Sequence, residues 1–285
     1  MLVSHTKIWY FQEGGQAMDR TLFTPAMLET FRACKRAYKL AFQNQSGESG
    51  RVSPSAICKR FVLRGLADVN RGKVTNPSQV QKFMGQHWPL DKLHDQPGGK
   101  DSATRAFLYA YKTLLRYVAN PYKPKGAEVV AVATKVRARV PGQRLYLEDV
   151  FDLILWYPEE KRLELVIFHL KALRKSDPSW PSPATLVRQH LAERLKVRWP
   201  YEKLTLTMAK VGPSESKDVS INLEDSLYRI HWPEIVKNLE EMKDLGDVEE
   251  HGPEFADKPC AYCKTMESRI AAEQVSGDDH VTLSA

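Results

Sequence analysis

The chain has 285 residues, 42% of them hydrophobic, with 42 Lys/Arg against 35 Asp/Glu and a formal net charge of +7. That length and apolar content support a sizeable core, and no uninterrupted apolar run approaches the ~20 residues of a membrane-spanning helix, which excludes an α-helical membrane protein. The charge is uneven: residues 221–285 hold 6 Lys/Arg against 15 Asp/Glu, leaving 36 against 20 in the first 220 residues, a basic body suited to a polyanionic partner.

The opening MLVSHTKIWYFQEGG lacks the basic start and apolar run of a signal peptide, which points to the cytoplasm, and residues 1–21 are expected to form a flexible extension. A first helix lies within the stretch Leu22–Phe42, beginning with Thr24 as its N-cap and Pro25 in its first turn. Leu28, Phe31, Cys34 and Tyr38 share one face of it, and Arg32, Lys35, Arg36 and Lys39 form a basic stripe on another. A second helix covers Pro54–Asn70. Asp91–Lys100 (DKLHDQPGGK) has the composition of a flexible connection. A long helix follows over Ser102–Ala119, with Phe107, Leu108, Tyr111, Leu114 and Leu115 at core spacing. Three strands are predicted at Val129–Val140, Leu145–Trp156 and Leu163–Lys171, then a loop through Leu173–Pro183, a helix over Ala184–Arg198, a strand over Lys203–Val211 and a turn-rich break at Gly212–Asp218. Trp232–Leu245 forms a last helix. Residues 22–245 are thus expected to make up one domain, and residues 246–285 an acidic linker with a Cys-x-x-Cys segment.

The second and third strands carry the chemistry. Both are rich in Leu, Val, Ile and aromatic residues, as buried strands are, and the intervening YPEEKR suits a turn. If Trp156 pairs with Leu163, Asp152 lies opposite Ile167, and Ile167, His169 and Lys171 share a face with it, with Glu148 across from Lys171. A slip of one residue would reverse this. The plainer reading makes Asp152 and Lys171 a partly buried ion pair and His169 a hydrogen-bonded core residue. The first strand of the three alternates Lys135, Arg137 and Arg139 with apolar residues, giving it a basic face, and Arg174, Lys175 and Arg188 lie downstream. Surfaces of this kind attract phosphate backbones without reading sequence, and they do so more weakly as salt rises.

These residues resemble the nuclease core of the PD-(D/E)XK superfamily, in its RecB and AddB branch. The family reads roughly Gly-x-x-Asp on one strand, Asp/Glu-x-Lys on the next and Gln on the following helix. Here the corresponding residues are Asp149-Val150-Phe151-Asp152, His169-Leu170-Lys171 and Gln189. Asp, Lys and Gln match, whereas Asp149 replaces the Gly and His169 replaces the second carboxylate. Cys34 and Tyr38 resemble the family's first helix, and Leu63 stands where many members place a metal-binding His. The resemblance implies an α/β fold: a restriction-endonuclease-like αβββαβ core on a mixed sheet, with helical N- and C-terminal additions.

It also implies a division of labour. Asp152, with Glu148 or Asp149, would hold Mg²⁺ or Mn²⁺, Lys171 would assist attack on the phosphate, and Gln189 would position water or phosphate. Magnesium favours oxygen ligands, which His169 does not supply. The expectation is therefore a DNA-binding relative with catalysis impaired or lost, acting on single-stranded DNA or free ends in repair, recombination or defence, with a helicase or nuclease as partner. The alternatives are an active Mg²⁺- or Mn²⁺-dependent exonuclease or endonuclease, and a scaffold of a larger complex that does not touch DNA. No phosphate-cradling Gly-rich loop is present, so any motor activity would belong to the partner. Cys260 and Cys263, with Cys34 far upstream, resemble the split iron–sulfur motif of the AddB-type enzymes, but Arg269 stands where the family has its fourth Cys. Cys58 is the candidate replacement, zinc is an alternative occupant, and reduced cysteines without metal are the plain reading.

Overall fold

A computed structural model describes residues 21–43, 54–94, 99–170, 181–214 and 218–245. In chain order its elements are β1 (Thr21–Phe23), α1 (Pro25–Ala33), α2 (Lys35–Tyr38), a π-helical segment (Lys39–Gln43), α3 (Pro54–Asn70), α4 (Pro77–His87), α5 (Leu90–His94), α6 (Gly99–Ala119), β2 (Glu128–Arg139), β3 (Leu145–Tyr157), β4 (Arg162–His169), α7 (Pro183–Glu193), β5 (Lys203–Lys210), β6 (Asp218–Leu223) and α8 (Asp225–Lys243). The fold is α/β, and its sheet is mixed. β3 runs antiparallel to β2 and β4 and parallel to β1, β4 runs parallel to β5, and β5 is antiparallel to β6. No helix among the described residues is long and apolar enough to cross a membrane.

Local sequence sets the helix starts. Thr24 accepts a hydrogen bond from the Met27 N–H with Pro25 following it, and Asn76 and Ser182 cap α4 and α7 in the same way, again with Pro next. The predicted first helix is not continuous. Cys34 turns extended, and its Sγ accepts from the Ala37 N–H, so this cysteine ends α1 and caps α2. Leu28, Phe31, Cys34 and Tyr38 are buried as their spacing implies. The second helix has the expected ends.

Other expectations need correction. The long helix begins at Gly99, and Leu108 on it is exposed rather than in the core. Asp91–Lys100 is partly helical, since α5 reaches His94. The helix after the hairpin ends at Glu193 and continues as turns, and the last helix begins at Asp225 with Pro233 inside it.

Two apolar clusters sandwich the sheet. One holds Leu28, Phe31, Val187, Leu191, Ile235 and Leu239, on the side of α1, α7 and α8. The other holds Phe61, Val62, Leu66, Phe83 and Leu114, on the side of α3, α4 and α6. In β4, Leu163 and Leu165 feed the first cluster and Val166 and Phe168 the second, as side chains that alternate across a buried strand must.

Between the layers sits a polar knot. Glu164, on β4 and 3% exposed, accepts from Tyr157 Oη at 2.5 Å, Thr207 Oγ1 at 2.6 Å and Tyr122 Oη at 2.8 Å, with Arg162 at 3.3 Å. Both carboxylate oxygens are satisfied, which is the condition for keeping a buried charge.

A candidate site at a fork in the sheet

The hairpin register follows the sequence expectation: Trp156 pairs with Leu163, and the ladder runs to Leu153 opposite Val166. There it stops. On that same edge β3 pairs with β1 only over Leu145–Leu147, so, among the described residues, 148–152 have a strand neighbour on the β2 side and none on the other. The sheet forks, and Glu148, Asp149 and Asp152 all lie along the gap. Past the fork β4 stays with β5, as far as His169 opposite Lys210.

The fork coincides with a change of face. Leu145, Leu147 and Phe151 belong to the α7-side cluster, whereas Leu153, Leu155 and Tyr157 belong to the α3-side one. β2 changes in step, with Val136 on one side and Val132 packed on the other. The turning point in β2 is Ala133, at φ 47°, between the Val132–Leu153 and Thr134–Phe151 pairs and so across from Asp152. A positive φ at a residue with a Cβ is strained, and it is what lets the two strands swap faces. Strict alternation along β3 therefore fails at the residue on which the expected geometry depended.

Asp152 points neither up nor down but along the sheet: its Oδ2 accepts the Phe168 N–H at 2.7 Å, closing the ladder where the β3 backbone no longer does. Burial pushes its carboxyl up to about 6, against the opposing pull of that N–H, Lys59 and Arg188, and with a further push from Asp149. On the α7 side, Arg188 Nε donates to Asp149 Oδ2 at 2.8 Å, while Asp149 Oδ1 accepts its neighbour's Val150 N–H at 2.9 Å. On the other face, Glu148 takes Lys135 at 3.0 Å and Arg137 at 2.7 Å, and hydrogen bonds from both cations hold it below the usual range despite its burial. Tyr109 Oη donates to the Leu170 carbonyl at 2.6 Å, fixing the chain just past β4.

The predicted residues therefore divide. Asp152 and Asp149 are brought within electrostatic reach of each other, Glu148 lies beside them on the opposite face of β3, and His169 is half-buried at the end of β4. Gln189 is 1% exposed and donates to Asp225 at the start of α8, with its Oε1 unpartnered among the described residues. Lys171, Arg174, Lys175, Cys260 and Cys263 lie outside the described residues.

The basic surfaces are less free than the sequence implies. On the first helix, Arg32 pairs with Glu234 at 3.2 Å and Lys35 with Glu241, so α8 answers half of that stripe, which also includes Arg36 and Lys39. On β2 only Arg139 avoids Glu148, donating instead to the Gln143 carbonyl at 2.9 Å. Arg188 was legible only as part of a basic run, and the long-range partner that gives it a place in the site was not.

Neither implied metal centre fits the described residues. A divalent ion needs several oxygen ligands, yet Glu148 and Asp149 are taken by cations, and no group of three or more His, Cys, Asp or Glu converges among the described residues. Cys58 does not reach Cys34. Its thiol donates to the Ala106 carbonyl at 3.7 Å in the α3-side cluster, whereas Cys34 lies between Phe31 and Tyr38 of the α7-side one, across the sheet.

No family model and no curated protein matches the chain. Among solved structures, a candidate exonuclease from Eubacterium rectale is similar at 13% identity with a TM-score of 0.48, covering 93% of each chain. The crystal structure of SSO0001 is similar at 14% identity with a TM-score of 0.28, covering 68% of this chain and 86% of that one.

Proposed function

We propose that this chain binds DNA on a nuclease-like fold of the PD-(D/E)XK kind, with phosphodiester hydrolysis impaired or lost. One observation carries the reading: of the three carboxylates gathered at the fork, two are already neutralised by Lys135, Arg137 and Arg188, and only Asp152 has no salt-bridge partner among the described residues. One carboxylate is too little to hold and orient the ion that such hydrolysis uses, while the surrounding cations remain suited to phosphate. Single-stranded DNA or free ends, a helicase or nuclease partner, and a role in repair, recombination or defence complete the proposal.

Two measurements on the purified chain test it. In filter binding, affinity for single-stranded DNA should fall steeply between 50 and 200 mM salt, by roughly tenfold or more if two or three phosphates are contacted. With end-labelled DNA and Mg²⁺ or Mn²⁺, wild type and Lys171→Ala should give the same low background. Metal-dependent cleavage lost in Lys171→Ala would refute the impaired reading in favour of a working nuclease. Absence of salt-dependent binding would leave a scaffold.

A further inference from the structure

We propose that Arg188 is the phosphate receptor of the fork, and that it engages the nucleic-acid backbone without a metal ion; this rests on the DNA-binding reading above. Arg188 projects from α7 toward the unpaired stretch of β3, and its side chain is 14% exposed. Its Nε is committed to Asp149 Oδ2, and Asp149 is itself pinned through Oδ1 by the Val150 N–H. The guanidinium plane is thereby held on both sides of the contact. Asp152 lies within electrostatic reach, but among the described residues Arg188 makes no hydrogen bond beyond that to Asp149, so its two terminal nitrogens keep four N–H donors for a ligand. A planar pair of donors matches two phosphate oxygens at once, and a guanidinium pre-oriented by a carboxylate loses little freedom on binding.

The surroundings favour an anion over a cation. Lys59 stands on α3 within electrostatic reach of Asp152, and Lys135 and Arg137 hold Glu148 on the face of the sheet opposite Arg188. Together with Arg188 they place four positive charges against the three carboxylates Glu148, Asp149 and Asp152. The positive charge that a divalent ion would bring to this position is supplied by side chains that also occupy its ligands.

The test is fluorescence anisotropy of a labelled single-stranded oligonucleotide with the full chain, at constant ionic strength, in EDTA and in millimolar Mg²⁺. Wild type, Arg188→Gln and Arg188→Lys are compared, each with its melting temperature. Wild-type affinity should agree within about twofold between the two buffers. Arg188→Gln should weaken binding about tenfold and flatten the plot of log affinity against log salt by about 0.7, the share of one single-strand contact. Arg188→Lys should keep the slope yet recover only part of the affinity, because an ammonium is a point charge without the paired geometry.

A tenfold requirement for Mg²⁺ in wild type would overturn the proposal. So would a folded Arg188→Gln with unchanged affinity, or an Arg188→Lys equal to wild type if the Gln variant fails to fold. Wild type without salt-dependent binding would instead overturn the reading on which it rests.

Discussion

Replacing Asp152 by Asn asks whether the fork keeps its carboxylate at the expense of the fold. Burial raises this carboxyl from 3.8 to about 6. A difference of roughly 2 units at about 1.36 kcal/mol each is worth on the order of 3 kcal/mol. The sign follows from the direction. A folded-state value above the unfolded one means the native protein favours the protonated acid, so stability from this group is intact below about pH 4 and lost as pH rises toward 6. Asn retains an oxygen for the Phe168 N–H, now at 2.7 Å from Asp152, and never ionises. The variant should therefore exceed wild type by only about 1 kcal/mol at pH 4.5 and by about 3 kcal/mol at pH 7, the latter roughly 6–10 °C in melting temperature for a chain of this size. Urea unfolding followed by tryptophan fluorescence from pH 4.5 to 7.5 measures the gap directly. A gap that does not change with pH, or a variant less stable at pH 7, would show that Lys59 and Arg188 outweigh burial and that Asp152 is a structural ion pair.

Glu164→Gln should cost about 3 kcal/mol in urea unfolding, because the amide turns an acceptor for the Tyr122, Tyr157 or Thr207 hydroxyls into a competing donor inside a closed network; a loss below about 1 kcal/mol would mean that water reaches the carboxylate. Cys58→Ala should leave the iron and zinc content of the purified protein unchanged by elemental analysis, since this thiol faces the Ala106 carbonyl rather than Cys34; loss of metal would refute that placement. Glu234→Lys with Glu241→Lys releases Arg32 and Lys35 from exposed ion pairs and should shift stability by no more than about 1–2 kcal/mol in all. The same double variant should bind single-stranded DNA more tightly at low salt, and an unchanged salt titration would place that surface outside the binding site.

What the sequence disclosed was whatever rests on local pattern. The hairpin was readable because Leu145–Tyr157 and Arg162–His169 are apolar enough to be buried on both faces, and because Pro158 and its charged neighbours mark the turn. Its register was readable from the same ends. Pro77–His87 was overlooked although Asn76 and Pro77 announce a helix start, since only Val80, Phe83 and Met84 are buried along it and its apolar rhythm is thin. β1 has 3 residues and β6 has 6 of which only Leu223 is buried, so neither shows the run that marks a buried strand. The break at Cys34 left no trace because the apolar spacing continues through it.

Glu148, Asp149 and Asp152 were legible as neighbours on one strand and illegible as an arrangement, for a physical reason. Pairing a carboxylate with a cation 39 positions away, as Asp149 does with Arg188, depends on where α7 crosses the sheet, and residue spacing along β3 does not encode that crossing. The face change at Ala133 and Asp152 is equally hidden, because alanine gives no sign of the positive φ that glycine would advertise. Together these two features decide the character of the fork. A regular β3 would stack Glu148 and Asp152 on one face as a pair of metal ligands. The twisted one instead aims Asp152 along the sheet into the β4 backbone, leaves Glu148 to Lys135 and Arg137 on the opposite face, and sets Asp149 as the brace for Arg188. A gap in a sheet exposes backbone that must find other partners, and here the Asp152 carboxylate takes the Phe168 N–H that the β3 backbone leaves open.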